Sequence, residues 1–337
     1  MPGRADLRRR LFLTVCGFGA VAIAACVLAP LVGSTRISLT KVFDRTTPFA
    51  DNVDAQIFFL ARLPRVLAAA LVGASLAISG AVFQALLRNP LASPDTLGVS
   101  GGAALGAMVA ITFHLHFSIF GIPAIPVASF SGSLGAFGIV YLLATARRRG
   151  LSTMTLLLAG VALNAFFSAL VLFVQSLADL SETFRSVRWL MGSLDVASYA
   201  PIVAVVPIVA LSAAGFATLP RALDLMSLGS DAAAVRGVDV RRTERVALLS
   251  ASLATGAAVS VGGPVAFVGI VVPHLVRLIV GADHRLVLPA TVLAGATLLV
   301  SCDAASRTLF SPVEIPVGVI TALIGAPVFL FLLLERR

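Results

Sequence analysis

The stretch from Arg62 to Gly106, RLPRVLAAALVGASLAISGAVFQALLRNPLASPDTLGVSGGAALG, holds an apolar run about as long as a bilayer is thick. An Arg-Leu-Pro-Arg string precedes the run and an Arg-Asn-Pro-Leu-Ala-Ser-Pro-Asp turn follows it. In hydrocarbon every backbone polar group must be satisfied within the segment, so a run of this length predicts a membrane-spanning helix. Its Gly, Ala and Ser provide faces on which helix backbones approach closely. Comparable runs predict spans at 11–32, 64–86, 95–113, 122–145, 152–175, 199–219, 243–262, 266–280, 286–303 and 314–334.

These spans leave polar gaps of about thirty residues at most, too short for a folded water-soluble domain, which usually needs 50 residues or more. Hydrophobic residues make up 58% of the chain and charged ones 12%, against roughly 25% charged in a soluble domain. The expected architecture is an all-α polytopic membrane protein of about ten transmembrane helices, with residues 1–337 forming one transmembrane domain. Ten crossings put both termini on one side.

The net charge of +9 follows from orientation, not from nucleic acid, because no basic stripe is interleaved with stacking aromatics. The bias predicts that the N-terminal arginines, Arg88, Arg147–Arg149, the arginines from Arg221 to Arg245, Arg277, Arg285, Arg336 and Arg337 are cytoplasmic. Arg36, Lys41, Arg45, Arg62, Arg65, Arg185, Arg188 and Arg307 are then external. Arg8-Arg9-Arg10 before an apolar run resembles a signal peptide, but the run continues to Val32, so it reads as a retained first helix. Ile23-Ala24-Ala25-Cys26 matches a lipoprotein processing box by chance. Cys16, Cys26 and Cys302 sit in apolar runs as packing residues, with no disulfide framework.

Turn chemistry marks several helix starts. Ser93-Pro94-Asp95 supplies an N-cap, a proline at the first helical position and an acid in the first turn. Ser311-Pro312-Val313-Glu314 repeats the pattern as a capping box. Gly262-Gly263-Pro264 and Pro273 predict that the eighth span is kinked or broken. Gly98, Gly102 and Gly106 predict close packing within one subunit. Ala74-Ser75-Leu76-Ala77 is echoed by Ala251-Ser252-Leu253-Ala254, which fits two halves of opposite topology.

The block from Arg62 to Gly106, with a later one from Gly263 through Arg307 to Pro327, resembles the FecCD-type permeases of ATP-driven importers for ferric siderophores, haem and vitamin B12. The resemblance implies a homodimer with a central pathway, two copies of a separate ATP-binding subunit below, and a substrate-binding protein above. It further implies alternating access in a bacterial inner membrane, with no cofactor or metal held by the permease. The chain agrees with fuel supplied from elsewhere: its one lysine is Lys41, and it has no Gly-Lys-Ser/Thr string for a phosphate-binding loop.

Carried over residue by residue, the resemblance assigns Arg62, Arg65 and Arg307 to docking of the binding protein. From the residues alone, Arg62 and Arg65 could equally anchor a helix end, and Arg307 could pair with Asp303 one turn back. The polar segment 220–240 keeps apolar residues for burial against a partner and resembles the family's coupling helices. There Leu223, Leu225, Met226, Leu228, Gly229, Ala233, Arg236 and Gly237 are expected to meet the ATPase. Asn89 and Leu91, with Thr153 and Met154, match the positions that narrow the cytoplasmic end of the pathway. Arg277 is expected to snorkel to the inner interface.

Asp95, Asp303 and Glu314 fall at predicted helix ends, so the spans themselves are poor in ionisable groups. That suits a bulky chelate better than a small ion. An ion-coupled secondary transporter is the alternative, and it would need an intramembrane acid or a helix break near the bilayer centre. Gly98-Val99-Ser100-Gly101-Gly102 formally matches a nucleophile elbow but lies in a helical context. His114 and His116 lack a third metal ligand nearby, and His284 carries no assigned chemistry.

Overall fold

A computed structural model describes residues 4–119, 121–145, 153–196 and 198–334. Arg147–Arg149, Arg336 and Arg337 lie outside the described residues. The helices are α1 (Arg4–Leu28), α2 (Leu39–Val42), α3 (Val53–Gln56), α4 (Leu63–Leu86), α5 (Val99–Thr112), α6 (Ala124–Thr145), α7 (Thr153–Ser176), α8 (Leu180–Leu190) and α9 (Ala200–Ala217). They continue as α10 (Pro220–Met226), α11 (Ser230–Val235), α12 (Val240–Gly262), α13 (Val268–Val280), α14 (His284–Ser306) and α15 (Val317–Leu334). A two-residue hairpin, β1 (Ser118–Ile119) and β2 (Ile122–Pro123), joins α5 to α6.

Seven helices among the described residues are long and apolar enough to cross a membrane, and three shorter apolar ones are α5, α13 and α15. Each coincides with one of the ten expected spans. Burial sorts them. The apolar windows of α4 and α12 are 72% buried and that of α14 is 61%, whereas α1 buries 6%, so α4, α12 and α14 form the centre. Small residues make these crossings possible. A side chain on Gly80 would collide with the carbonyl of Gly269, and one on Gly102 with that of Gly132. Gly106 likewise meets Ala128, so Gly102 and Gly106 pack α5 on α6 within the subunit, while Gly98, just before α5, faces Leu163 of α7.

The packing pairs repeat. α4 packs on α14 as α12 packs on α6, α5 on α6 as α13 on α14, α5 on α7 as α13 on α15, and α5 on α12 as α13 on α4. The echoed tetrapeptides occupy the same place in each repeat, starting at the twelfth residue of α4 and of α12. Those two helices also touch, with Ser79 Oγ donating to Ala251 O at 3.1 Å. Five spans per repeat is an odd number, so the halves run in opposite directions.

Each repeat contains one break at membrane depth. α5 has 14 residues and α13 has 13, about 20 Å of rise apiece, too little for a hydrocarbon core of about 30 Å. Residues 87–98 enter before α5, ending in a 3-10 turn (Pro94–Leu97) where Ser93 N–H donates to Thr96 Oγ1. Residues 263–267 enter before α13, with positive φ at Gly263 and Phe267. The eighth span is therefore broken as its Gly-Gly-Pro string predicted.

Three elements depart from the sequence reading. α8 is an amphipathic external helix closed by a reciprocal capping box: Glu182 N–H donates to Asp179 Oδ1 at 2.8 Å and Asp179 N–H to Glu182 Oε2 at 2.9 Å. The last span begins at Val317, not 314, because Glu314 turns away to bond Arg65. Before α4 the chain winds as a π-helix over Ile57–Arg62, continuing the apolar segment Val53–Leu86.

Candidate functional site: a broken-helix seam between an outer charge cluster and a cytoplasmic shelf

Arg65 lies on the first turn of α4, Asp303 on the last turn of α14, and Arg307 and Glu314 in the turn beyond. Arg65 Nε meets Asp303 Oδ1 at 2.7 Å and Arg65 Nη1 meets Glu314 Oε2 at 2.7 Å. Arg307 Nε meets Asp303 Oδ2 at 3.1 Å, and its Nη1 and Nη2 donate to Val32 O and Ala29 O. Arg62 donates to Pro30 O at 2.9 Å and to Thr35 O. All three arginines are buried, and the Asp303 side chain has no exposed surface. They fasten α4, α14 and the outer end of α1 together. Arg307 pairs with Asp303 one turn back, the local alternative its spacing offered, and all three arginines act within this chain as helix fasteners. The described external cations that are exposed are Arg36, Lys41, Arg45, Arg185 and Arg188.

The two broken segments meet deep in the protein. Asn164 Nδ2 donates to Asp95 O at 2.6 Å, and Asn164 lies about 16 Å along α7, near its middle. Asp95 is thus at a helix end, as expected, but that end stands at mid-membrane. Its carboxylate accepts from Ser100 Oγ and borders a cavity of about 460 Å³. Pro264 and Ala266 from the other broken segment and Gly318 and Ala322 from α15 line it as well, and Leu190 and Met191 at the end of α8 bound it on the outer side. Ser100 sits on helix α5, where no strand precedes it, so the nucleophile-elbow geometry is missing.

A second cavity, of about 230 Å³, lies nearer the inner end of the same α13–α15 seam. Asn89, Leu91, Ile270, His274 and Phe329 line it. Asn89 Oδ1 accepts from Leu91 N–H at 2.9 Å, which holds the turn and leaves the Leu91 side chain exposed. Met154, on the first turn of α7, is also exposed, and Thr153 opens that helix. Gln84 was missed by sequence reasoning. Pro273 has no N–H for Gly269 O, four residues earlier. Gln84 Nε2 donates to Gly269 O and Ile270 O at 3.3 Å each. Arg277 Nη1 then donates to Gln84 Oε1 at 2.6 Å, so the half-buried Arg277 braces the seam. An amide in an apolar run, together with an in-span proline, was the available signal.

On the cytoplasmic side α10 and α11 form a shelf. Leu223, Met226 and Ala233 are buried against this chain's own core, with Phe83 and Leu248 among their neighbours. These three side chains hold the shelf onto the helices above it. Leu225 is half-buried, whereas Leu228 is 62% and Val235 90% exposed. Gly229, with φ 116, turns the chain between the two helices, and Arg236 and Gly237 are exposed at the end of α11. Asp224 Oδ1 accepts from the His284 backbone N–H at 3.0 Å and pairs with its Nδ1 at 2.6 Å, which clamps the shelf to α14.

The sequence of residues 21–335 matches the FecCD transport family. The chain belongs to that family. Among FecCD relatives it is 38% identical to the hemin transport system permease protein HmuU of Yersinia pestis, over 95% of each chain. It is 44% identical to the cobalamin import system permease protein BtuC of Halobacterium salinarum, over 82% of this chain and 73% of that one. It is 36% identical to the ferric enterobactin transport system permease protein FepD of Escherichia coli, over 96% of each. A solved structure described as an inward-facing metal-chelate type ABC transporter superposes with a TM-score of 0.82 at 35% identity, over 95% of this chain and 98% of that one. This FecCD chain is a multi-pass membrane permease of the ABC-importer class. No group of three or more metal-ligating side chains occurs among its described residues.

Proposed function

We propose that this permease carries an iron chelate, with a ferric siderophore first and cobalamin or haem next, from the periplasm across a bacterial inner membrane by alternating access. Two copies of the chain form the pathway, two copies of an ATP-binding subunit drive it, and an external binding protein loads it. The observation that carries this reading is the pair of stacked cavities on the α13–α15 seam, reached by both broken segments and lined mainly by apolar groups. Weakly polar walls suit a bulky cargo whose metal is already wrapped. The relatives named for hemin, cobalamin and ferric enterobactin support that cargo class. Asn89, Leu91, Thr153 and Met154 form the inner narrowing in this reading. Leu228, Val235 and Arg236 meet the ATPase, held in place by the buried Leu223, Met226 and Ala233. Arg62, Arg65 and Arg307 shape the outer rim, on which the exposed cations steer a binding protein.

The comparisons give the ion-coupled alternative no support. The test is a binding screen of the cognate external protein against ferric siderophores, haem and cobalamin. Uptake of the selected ligand into vesicles containing the permease and its ATPase then follows. Tight binding of one chelate and ATP-dependent uptake are expected. Uptake driven by a proton or sodium gradient without the ATPase would overturn the proposal.

A further inference from the structure

A groove on the outer flank of α1 has no part in the transport reading. One face of α1 provides Arg10, Leu13, Gly17 and Val21, at the helical spacing of three to four residues. Val280 at the end of α13 and Leu286 near the start of α14 form the opposite wall, enclosing about 480 Å³. From Arg10 to Val21 is about 16 Å of helix rise, close to half of a hydrocarbon core of about 30 Å. The groove therefore has the length of one leaflet and begins at the cytoplasmic surface.

Its mouth is cationic. Arg10 is exposed, and Nη2 donates to Val280 O at 3.3 Å, which leaves the rest of the guanidinium fork facing outward. Arg8 and Arg9 are exposed in the same turn, opposed there by the acid Asp6. Arg285, across the mouth, is paired with Asp283 at 2.7 Å.

We propose that this groove binds one anionic phospholipid, its phosphate on Arg10 and one acyl chain along Leu13 to Val21. The apolar wall alone would accept any lipid. Charge supplies the selection: a headgroup of net negative charge gains charge-assisted hydrogen bonds and keeps the attraction that a zwitterion cancels. α13 would then face ordered lipid on one side and the transport seam on the other.

The test is native mass spectrometry of the intact, delipidated protein re-exposed to phosphatidylglycerol or to phosphatidylcholine of matched chains, with inorganic phosphate as the headgroup-only control. Retention of phosphatidylglycerol several-fold above phosphatidylcholine is expected, with no adduct from phosphate alone. Arg10→Gln should abolish the preference and Arg10→Lys should keep most of it. Gly17→Leu should abolish the selective adduct by filling the groove; a side-chain carbon there meets nothing within 4 Å, so the helix need not shift. Circular dichroism and elution volume confirm that each variant is folded. Equal retention of both lipids by the wild-type protein, a preference that survives in Arg10→Gln or in Gly17→Leu, or an equal response to phosphate would overturn the proposal.

Discussion

Asp303 is the residue on which the outer end turns. Buried without solvent, its charge is supportable because Arg65 and Arg307 reach it from two sides. Breaking a buried pair by removing one partner costs about 3–5 kcal/mol. Arg65→Met is therefore expected to lower the thermal midpoint in detergent by several degrees, and Arg65→Met with Asp303→Leu to recover part of the loss. Equal destabilisation by the single and double variants would show that the pair is not the unit. Gln84→Leu leaves the Gly269 carbonyl, already without the Pro273 donor, unpaired and removes one acceptor from Arg277, at a cost of about 1–3 kcal/mol. Its unfolding midpoint should fall while the helix content of the folded protein stays the same. Arginines at span ends were visible in the sequence as external charges. Their burial was not, because Asp303 and Glu314 lie more than 230 residues from Arg65 and no local pattern links them.

The helix shelf on the cytoplasmic face separates two kinds of leucine. Leu223 is fully buried and Leu228 largely exposed, so aspartate should act differently at the two positions. Leu223→Asp is expected to reduce the yield of folded protein. Leu228→Asp with Val235→Asp should leave folding intact and uncouple ATP hydrolysis from uptake, as read by ATPase rate and transport in the same vesicles. Normal uptake by that double variant would remove the coupling assignment. The α8 cap offers a pH test outside the membrane. The Glu182 backbone N–H, followed by the Ser181 hydroxyl, holds the Asp179 carboxyl below its ordinary range. A folded value below the unfolded one contributes stability above the unfolded pKa and loses it as pH falls through the folded one. Amide protection at Glu182 should thus persist at mildly acidic pH and collapse only below the ordinary aspartate range. α8 escaped the sequence reading because its short polar-apolar pattern lies between spans, where hydropathy is silent. The ten spans were legible because length and apolarity alone decide them.

For the whole molecule, the resemblance carried the transport class, and the orientation of charge carried the sidedness. The depth of Asp95 could not be read from the chain, since it shows only in a tertiary hydrogen bond from Asn164, near the middle of α7. Asp95→Asn removes the ionisable carboxyl but keeps an acceptor for Ser100, and is expected to preserve folding while altering uptake. Unchanged uptake kinetics in vesicles would exclude this carboxylate from the path. The inverted repeat has one more consequence. Its two interrupted spans dip in from opposite surfaces and line one cavity, so in the alternating-access reading proposed above the inner and outer gates are copies of one motif mounted upside down. On that reading, opening one gate while shutting the other requires only that the copies exchange shapes, and a mutation stiffening either copy should trap cargo on a predictable side.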